Sequence, residues 1–150
     1  MVLTYGNPNS LASYSPVYNN PASDALAQTN FQRASWNLVE MMDNNGNYAT
    51  FSYKASQGND IGNVIDRIVY GSNRALGALS SIAVSFDYEK RVDELSGYIS
   101  GMAFIQQLRL KNIRTSVNGQ EQKVYSLTYS NATQSKLQSI ELFQNGSKSY

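Results

Sequence analysis

The side chains of this sequence that could do acid–base chemistry lie close together: Asp87, Glu89, Asp93 and Glu94, interleaved with Lys90 and Arg91. Paired carboxylates of opposite protonation drive glycoside hydrolysis and other general acid–base reactions. Here Asp87 and Glu89 alternate along a strand-like run and so share its polar face. With the interleaved cations they read as a solvated, charge-balanced edge rather than a catalytic pair. A second candidate is Asp43-Asn44-Asn45-Gly46-Asn47, whose oxygens are spaced like those of a calcium loop. An EF-hand loop would place a bidentate Glu about six residues after its Gly. This chain has Ser52 there, in a strand-like run, and Asx side chains capping their own backbone in a bend account for the segment. A third, Arg109, Lys111, Arg114 and Lys123, forms one basic strip across a hairpin. With twelve basic and eleven acidic residues in total, one strip is too little for nucleic acid and serves to keep an exposed sheet soluble.

What is missing narrows the chemistry further. The chain contains no histidine and no cysteine, which removes imidazole bases, Ser-His-Asp catalysis, thiolate nucleophiles and sulfur-built zinc sites. Gly58, Gly62, Gly71 and Gly77 form neither a phosphate-binding loop nor a dinucleotide fingerprint. No stretch has the roughly 20 apolar residues of a membrane helix, and residues 1–18 lack the basic and apolar regions of a secretory signal. A chain of 150 residues that is 41% hydrophobic suits one domain with a modest core.

The elements that must position these side chains are strands. In residues 81–89, Ile82, Val84, Phe86 and Tyr88 fall on one face and Ala83, Ser85, Asp87 and Glu89 on the other. Residues 124–129 repeat the pattern, with Tyr125, Leu127 and Tyr129 aligned. Residues 48–53 set Ala49, Phe51 and Tyr53 against Thr50 and Ser52. Residues 64–70 alternate less cleanly, because Asp66 falls on the face of Val64, Ile68 and Tyr70. Eleven Tyr beside five Phe and one Trp is a sheet-like aromatic set. Asn-Gly occurs at Asn45-Gly46, Asn118-Gly119 and Asn145-Gly146, and both residues tolerate the positive φ of a tight type I′ hairpin. The first bend joins residues 36–43 to 48–54, and the second joins 108–117 to 123–129. Residues 93–104 carry helical spacing weakened by Gly97 and Gly101, and read as irregular chain leading into a strand. Residues 1–35 form a loop-rich lead-in, with a short helix start at Ser23, and 36–150 form the hairpin sheet. After Asn145-Gly146 the returning strand has almost no chain left, so the sequence reads as an excerpt of something longer that would tend to self-associate through unpaired edges.

Taken in order, these segments resemble a known family. Trp36-Asn37-Leu38, Asp43-Asn44-Asn45-Gly46-Asn47 and Phe51-Ser52-Tyr53 look like the "W-x-L … D-x-N-G-N … Y-x-Y" passage of the SpvB/TcaC-type domain. Ile68-Val69-Tyr70 is similar to its "I-x-Y" segment. Val84-Ser85-Phe86-Asp87-Tyr88-Glu89, followed by Arg91-Val92-Asp93, is similar to its "V-x-F-x-Y-E-x-R-P-D" segment, with Val92 in place of Pro. Tyr98 to Gly101, Arg109 to Ile113, Val124 to Tyr129 and Ser135 to Ile140 continue the series, and Leu3-Thr4-Tyr5-Gly6 fits the strand upstream. Residues 7–33 match poorly. Each motif is weak alone, whereas their shared order and spacing are specific.

The resemblance implies an all-β segment of mostly antiparallel hairpins, forming a curved sheet within a larger Rhs/YD-repeat-associated shell. Such shells belong to the B components of bacterial insecticidal toxin complexes, are secreted, and enclose a toxic payload. In plasmid virulence toxins a similar region precedes an ADP-ribosyltransferase, whose Glu-x-Glu signature this chain lacks. The expected role is therefore a non-enzymatic wall or carrier without catalytic residues, cofactor or metal. Its expected partners are neighbouring β segments, the payload and a second copy of the chain; nucleic acid and membrane insertion are not expected. The residues expected to set turns and core are Trp36, Asn45, Gly46, Tyr53, Phe86, Tyr88, Asn118, Gly119, Tyr125 and Tyr129. Two alternatives stay open: a delivery domain of a transferase toxin, and a free-standing glycan- or protein-binding sheet.

Overall fold

Successive side chains of a strand point to opposite faces, and that period governs nearly all of this chain. The computed structural model describes residues 1–5, 13–14, 35–55, 63–99, 102–131, 133–144 and 146–149. They form β1 (Val2–Tyr5), β2 (Ser13–Tyr14), β3 (Ser35–Trp36), β4 (Leu38–Met42), β5 (Asn47–Ala55), β6 (Asn63–Asn73), β7 (Ile82–Ile99), β8 (Met102–Val117), β9 (Gln120–Asn131), β10 (Ser135–Gln144) and β11 (Ser147–Lys148). Nine of these make one sheet in the order β1-β4-β5-β6-β7-β8-β9-β10-β11, and β2 pairs with β3 separately. Every pairing is antiparallel. Among the described residues there is no helix. The chain thus has the all-β, hairpin-built fold expected from its alternation.

The ladders are uneven, and this shapes the sheet. β5–β6, β7–β8 and β9–β10 pair along most of their lengths. Between these hairpins the ladders are short: β4 meets β5 only at residues 40–42, β6 meets β7 only at 67–70, and β8 meets β9 only at 112–117. All three short ladders lie beside the Asn45-Gly46 bend, the residue 74–81 loop and the Asn118-Gly119 bend. The molecule is a fan of three hairpins, tied by backbone at one end and by side chains beyond it.

Register carries the apolar residues across the fan. Phe51 sits opposite Ile68, Ile68 opposite Val84, and Val84 opposite Thr115; Phe86 sits opposite Ile113, and Ile113 opposite Tyr125. Tyr125, Leu127 and Tyr129 face Leu142, Ile140 and Leu137. Cross-strand neighbours of this kind stabilise a sheet without a second layer by roughly 0.2–1 kcal/mol per pair.

Four expectations change on the structure. Residues 95–99 and 102–104 are not irregular: β7 runs through to Ile99 and pairs with β8, Tyr98 lying opposite Ala103. Gly97 would weaken a helix, but it sits in the ladder opposite Phe104. The uneven alternation at Asp66 is a β-bulge, since Ser52 faces Arg67 while Tyr53 faces Ile65, which leaves Asp66 unopposed. The acidic run around Asp87 is not an edge, because β7 lies between β6 and β8. Finally, no sealed core exists among the described residues. Only Ala83 (0% exposed) and Ser72 (4%) are buried, and no large side chain is fully buried. Ala83 lies on the face read from sequence as polar. The helix start at Ser23 and the bend residue Asn145 lie outside the described residues.

Candidate functional site

The side-chain chemistry collects in the seams between hairpins, where the backbone ladders stop. A carbonyl left without its ladder partner costs free energy unless another donor reaches it. Three tyrosines do so. Tyr53 donates to the Leu38 carbonyl across β5–β4 at 2.8 Å, Tyr88 to Ile65 across β7–β6 at 2.9 Å, and Tyr129 to Leu110 across β9–β8 at 2.6 Å. Each acceptor lies just beyond its short ladder. Burial raises the pKa of all three phenols, which keeps the donating proton in place at neutral pH.

The most buried charges lie in the last seam. β7 carries a large bulge here: Lys90 faces Leu108 and Leu95 faces Gln106, so Arg91, Val92, Asp93 and Glu94 oppose Gln107 alone. Within it Arg91 donates to Asp93 from Nη2 at 3.0 Å and from Nε at 3.3 Å. Asp93 accepts both the backbone N–H and the hydroxyl of Ser135, at the start of β10. Arg109 donates to that same hydroxyl oxygen at 2.7 Å and to Glu89 at 2.8 Å. Its guanidinium also lies over the Tyr129 ring, 4.5 Å from the centroid. The side chains of Arg91, Asp93 and Arg109 are 13%, 9% and 12% exposed, so these pairs are shielded, unlike most surface salt bridges. Donation from Arg91, then from Ser135, holds the Asp93 carboxyl well below the usual carboxylate range.

A second cluster lines the seam between β6 and β7 and the adjoining face. Lys54 pairs with Asp66 at 3.0 Å, donates to the Phe86 carbonyl at 3.1 Å and lies over the Tyr88 ring. Arg114 bridges Asp87 and Glu121, each at 2.6 Å, and Asn112 donates to Asp87 at 3.1 Å. Burial works against the ionised Asp87, but donation from Arg114 and Asn112 outweighs it and lowers its pKa. Three members of the basic strip, Arg109, Arg114 and Lys111, thus each have an acidic partner.

These clusters link strands through ion pairs and hydrogen bonds. Every carboxylate among the described residues holds an ion pair or caps a bend. No group of three or more metal-ligating side chains gathers among them.

The turn residues fall into two geometries. Asn118 (φ 52°) and Gly119 (φ 75°) both adopt left-handed backbone, a type I′ pair linking Val117 to Gln120. At Asn45-Gly46 only Gly46 does so (φ 80°), and the Gly46 N–H donates to the Asp43 carbonyl at 3.2 Å. That is a type I turn closed by a glycine bulge rather than the type I′ bend expected there. Asp43 sets it, its carboxylate accepting the N–H groups of Asn45 and Asn47 at 2.9 and 2.8 Å and the Asn47 amide at 2.8 Å. Phe86 and Tyr125 are half-buried on the apolar face. The Trp36 backbone pairs with Ser13, and its side chain lies outside what is described. Sequence reading missed Ser135 and the Arg109 linkage. The signal available was the order Tyr88-Glu89-x-Arg91-x-Asp93, in which Tyr88 and Asp93 cross seams and Glu89 and Arg91 pair with the residues beside them.

No protein-family model matches the sequence, and no curated protein does. A match does appear among solved structures. The N-terminal domain of effector protein SpvB from Salmonella typhimurium strain LT2 has a similar fold, with a TM-score of 0.66 and 16% sequence identity, over 90% of this chain. The chain spans 56% of the length of that solved domain.

Proposed function

We propose that this chain is a non-enzymatic wall or carrier segment of a secreted bacterial toxin, which encloses or carries a toxic polypeptide and joins neighbouring β segments. The observation that carries this reading is the use made of its charged and phenolic groups. Asp93, Arg109 and the three tyrosines tie hairpins together across seams. A wall needs strands pinned to one another and side chains on two faces, and this fan, with ladders inside its hairpins and side-chain ties across its seams, supports that reading. The likeness in fold to the SpvB N-terminal domain supports a toxin-associated setting. It also favours a second reading, in which the segment is the delivery part of a virulence effector with its activity elsewhere.

Native purification from the producing bacterium, followed by mass spectrometry of whatever accompanies the chain, tests both. Stoichiometric recovery with repeat-rich shell polypeptides and a payload is the expected result. A single polypeptide that also bears a transferase domain would select the second reading. A free chain that binds glycans on an array would overturn both.

A further inference from the structure

The three tyrosine ties share one register, although the hairpins differ in length. The short ladder of the first seam pairs residues 40–42 with 48–50, that of the second 67–70 with 82–85, and that of the third 112–117 with 120–126. In each, the tyrosine lies three residues past the last ladder residue of its strand, and its carbonyl acceptor lies two residues before the first ladder residue of the other: Tyr53 with Leu38, Tyr88 with Ile65, Tyr129 with Leu110. The sequence repeats with the geometry. Thr50-Phe51-Ser52-Tyr53, Ser85-Phe86-Asp87-Tyr88 and Ser126-Leu127-Thr128-Tyr129 each run hydroxyl, apolar, polar, tyrosine. Each tyrosine also follows directly on a β-bulge in its own hairpin, where the partner strand skips Asp66 before Tyr53, Lys111 before Tyr88 and Gln138 before Tyr129. A bulge bends its strand and re-aims the side chains beside it, which accounts both for the parting of the hairpins and for the reach of the tyrosine.

The two ends of the seams are held differently. At the turn end, the residue 74–81 loop joins the bends on either side of it: the Arg74 N–H donates to the Gly46 carbonyl at 2.8 Å, and the Asn118 N–H donates to the Ser81 carbonyl at 3.2 Å. That end is braced by backbone. At the far end, among the described residues, the hairpins meet through side chains. Tyr53 crosses the first seam, Tyr88 and Lys54 the second, and Tyr129 the third, where Asp93 and Arg109 also meet Ser135. We infer that each seam is a hinge that pivots about its braced turn end and is latched by its own tyrosine, so that the sheet opens one seam at a time. The repetition carries this inference, because three latches of one register, each at its own bulge, form separate joints rather than one shared lock. Opening one joint breaks the few interactions of its seam and leaves the long ladder of each hairpin intact. The third seam, with the longest ladder of the three and the added Asp93 and Arg109 contacts, is the tightest. This device belongs to the chain by itself and holds whether the segment serves as wall or as delivery part.

Residue-resolved amide hydrogen exchange of the 150-residue chain, followed by nuclear magnetic resonance at neutral pH, tests this. In the wild type, the seam ladders are expected to exchange faster than the hairpin ladders beside them, with residues 112–117 and 120–126 the slowest of the three seams. Tyr53→Phe, Tyr88→Phe and Tyr129→Phe each remove one hydroxyl and keep the ring. Each is expected to speed exchange in its own seam ladder by about two- to tenfold, the worth of one net hydrogen bond. The other two seam ladders are expected to keep their wild-type rates. The proposal is overturned if the seam and hairpin ladders of the wild type exchange at one common rate, a result that needs no variant. It is also overturned by a substitution that leaves its own seam ladder unchanged, or by one that speeds all three seam ladders equally. Loss of the whole fold on any single Tyr→Phe change would overturn it too, since separate joints do not fail together.

Discussion

At the scale of single residues, conformation and charge separate positions that look alike in sequence. Gly46 and Gly119 both follow Asn and both have positive φ, but a Cβ at Gly46 would press on Ala75 at 3.1–3.2 Å, whereas nothing lies within 4 Å of one at Gly119. Gly119→Val carries the backbone strain alone, roughly 1–3 kcal/mol. Gly46→Val adds overpacking of similar size, so thermal melting should show the larger loss at Gly46. Asp93 gives a pH signature. Its folded pKa is depressed, so its contribution is complete above the ordinary carboxylate value of 3.8 and is lost as pH falls toward the folded one. The urea midpoint should hold steady from about pH 7 to pH 5 and drop below about pH 4. Asp93→Asn should lower the neutral-pH midpoint and flatten the acid drop, with Asp43 and Asp87, whose pKa values are also lowered, supplying slope that remains.

At the scale of elements, the β7 bulge decides how the last two hairpins meet. It turns Arg91 and Asp93 inward while Val92, between them, stands 67% exposed. Val92 has no ladder partner on β8, so a proline there would forfeit no bond of that ladder and would restrict the unfolded chain. Val92→Pro should leave the melting temperature unchanged or raise it, by the equivalent of about 0.4–1 kcal/mol; a large drop would mean the bulge depends on the Val92 N–H. The bulge also shows what sequence could and could not reveal. Period-two alternation exposed the strands around Phe51, Phe86 and Leu127, and Asn118-Gly119 marked its own hairpin, because both signals are local. The ladder lengths, the four-against-one bulge and the reach of Asp93 to Ser135 depend on residues far apart in the chain. The motif from Tyr88 to Asp93 carried the clue, but its polar residues read as a solvated edge because nothing local shows that β7 is an interior strand.

At the scale of the whole molecule, the proposed wall or carrier role rests on a nine-stranded sheet in which, among the described residues, no large side chain is fully buried. Its apolar side chains are half-covered by their cross-strand neighbours, while its polar groups link the hairpins. An antiparallel sheet can leave one face open to water, and in the proposed role that face would meet other polypeptides. The measurement that tests this most directly is protease protection of the payload, with the toxin produced intact or with β7–β10 deleted. The account predicts that the payload survives digestion beside the intact protein and is degraded beside the deletion variant. A payload digested equally fast in both cases would contradict it.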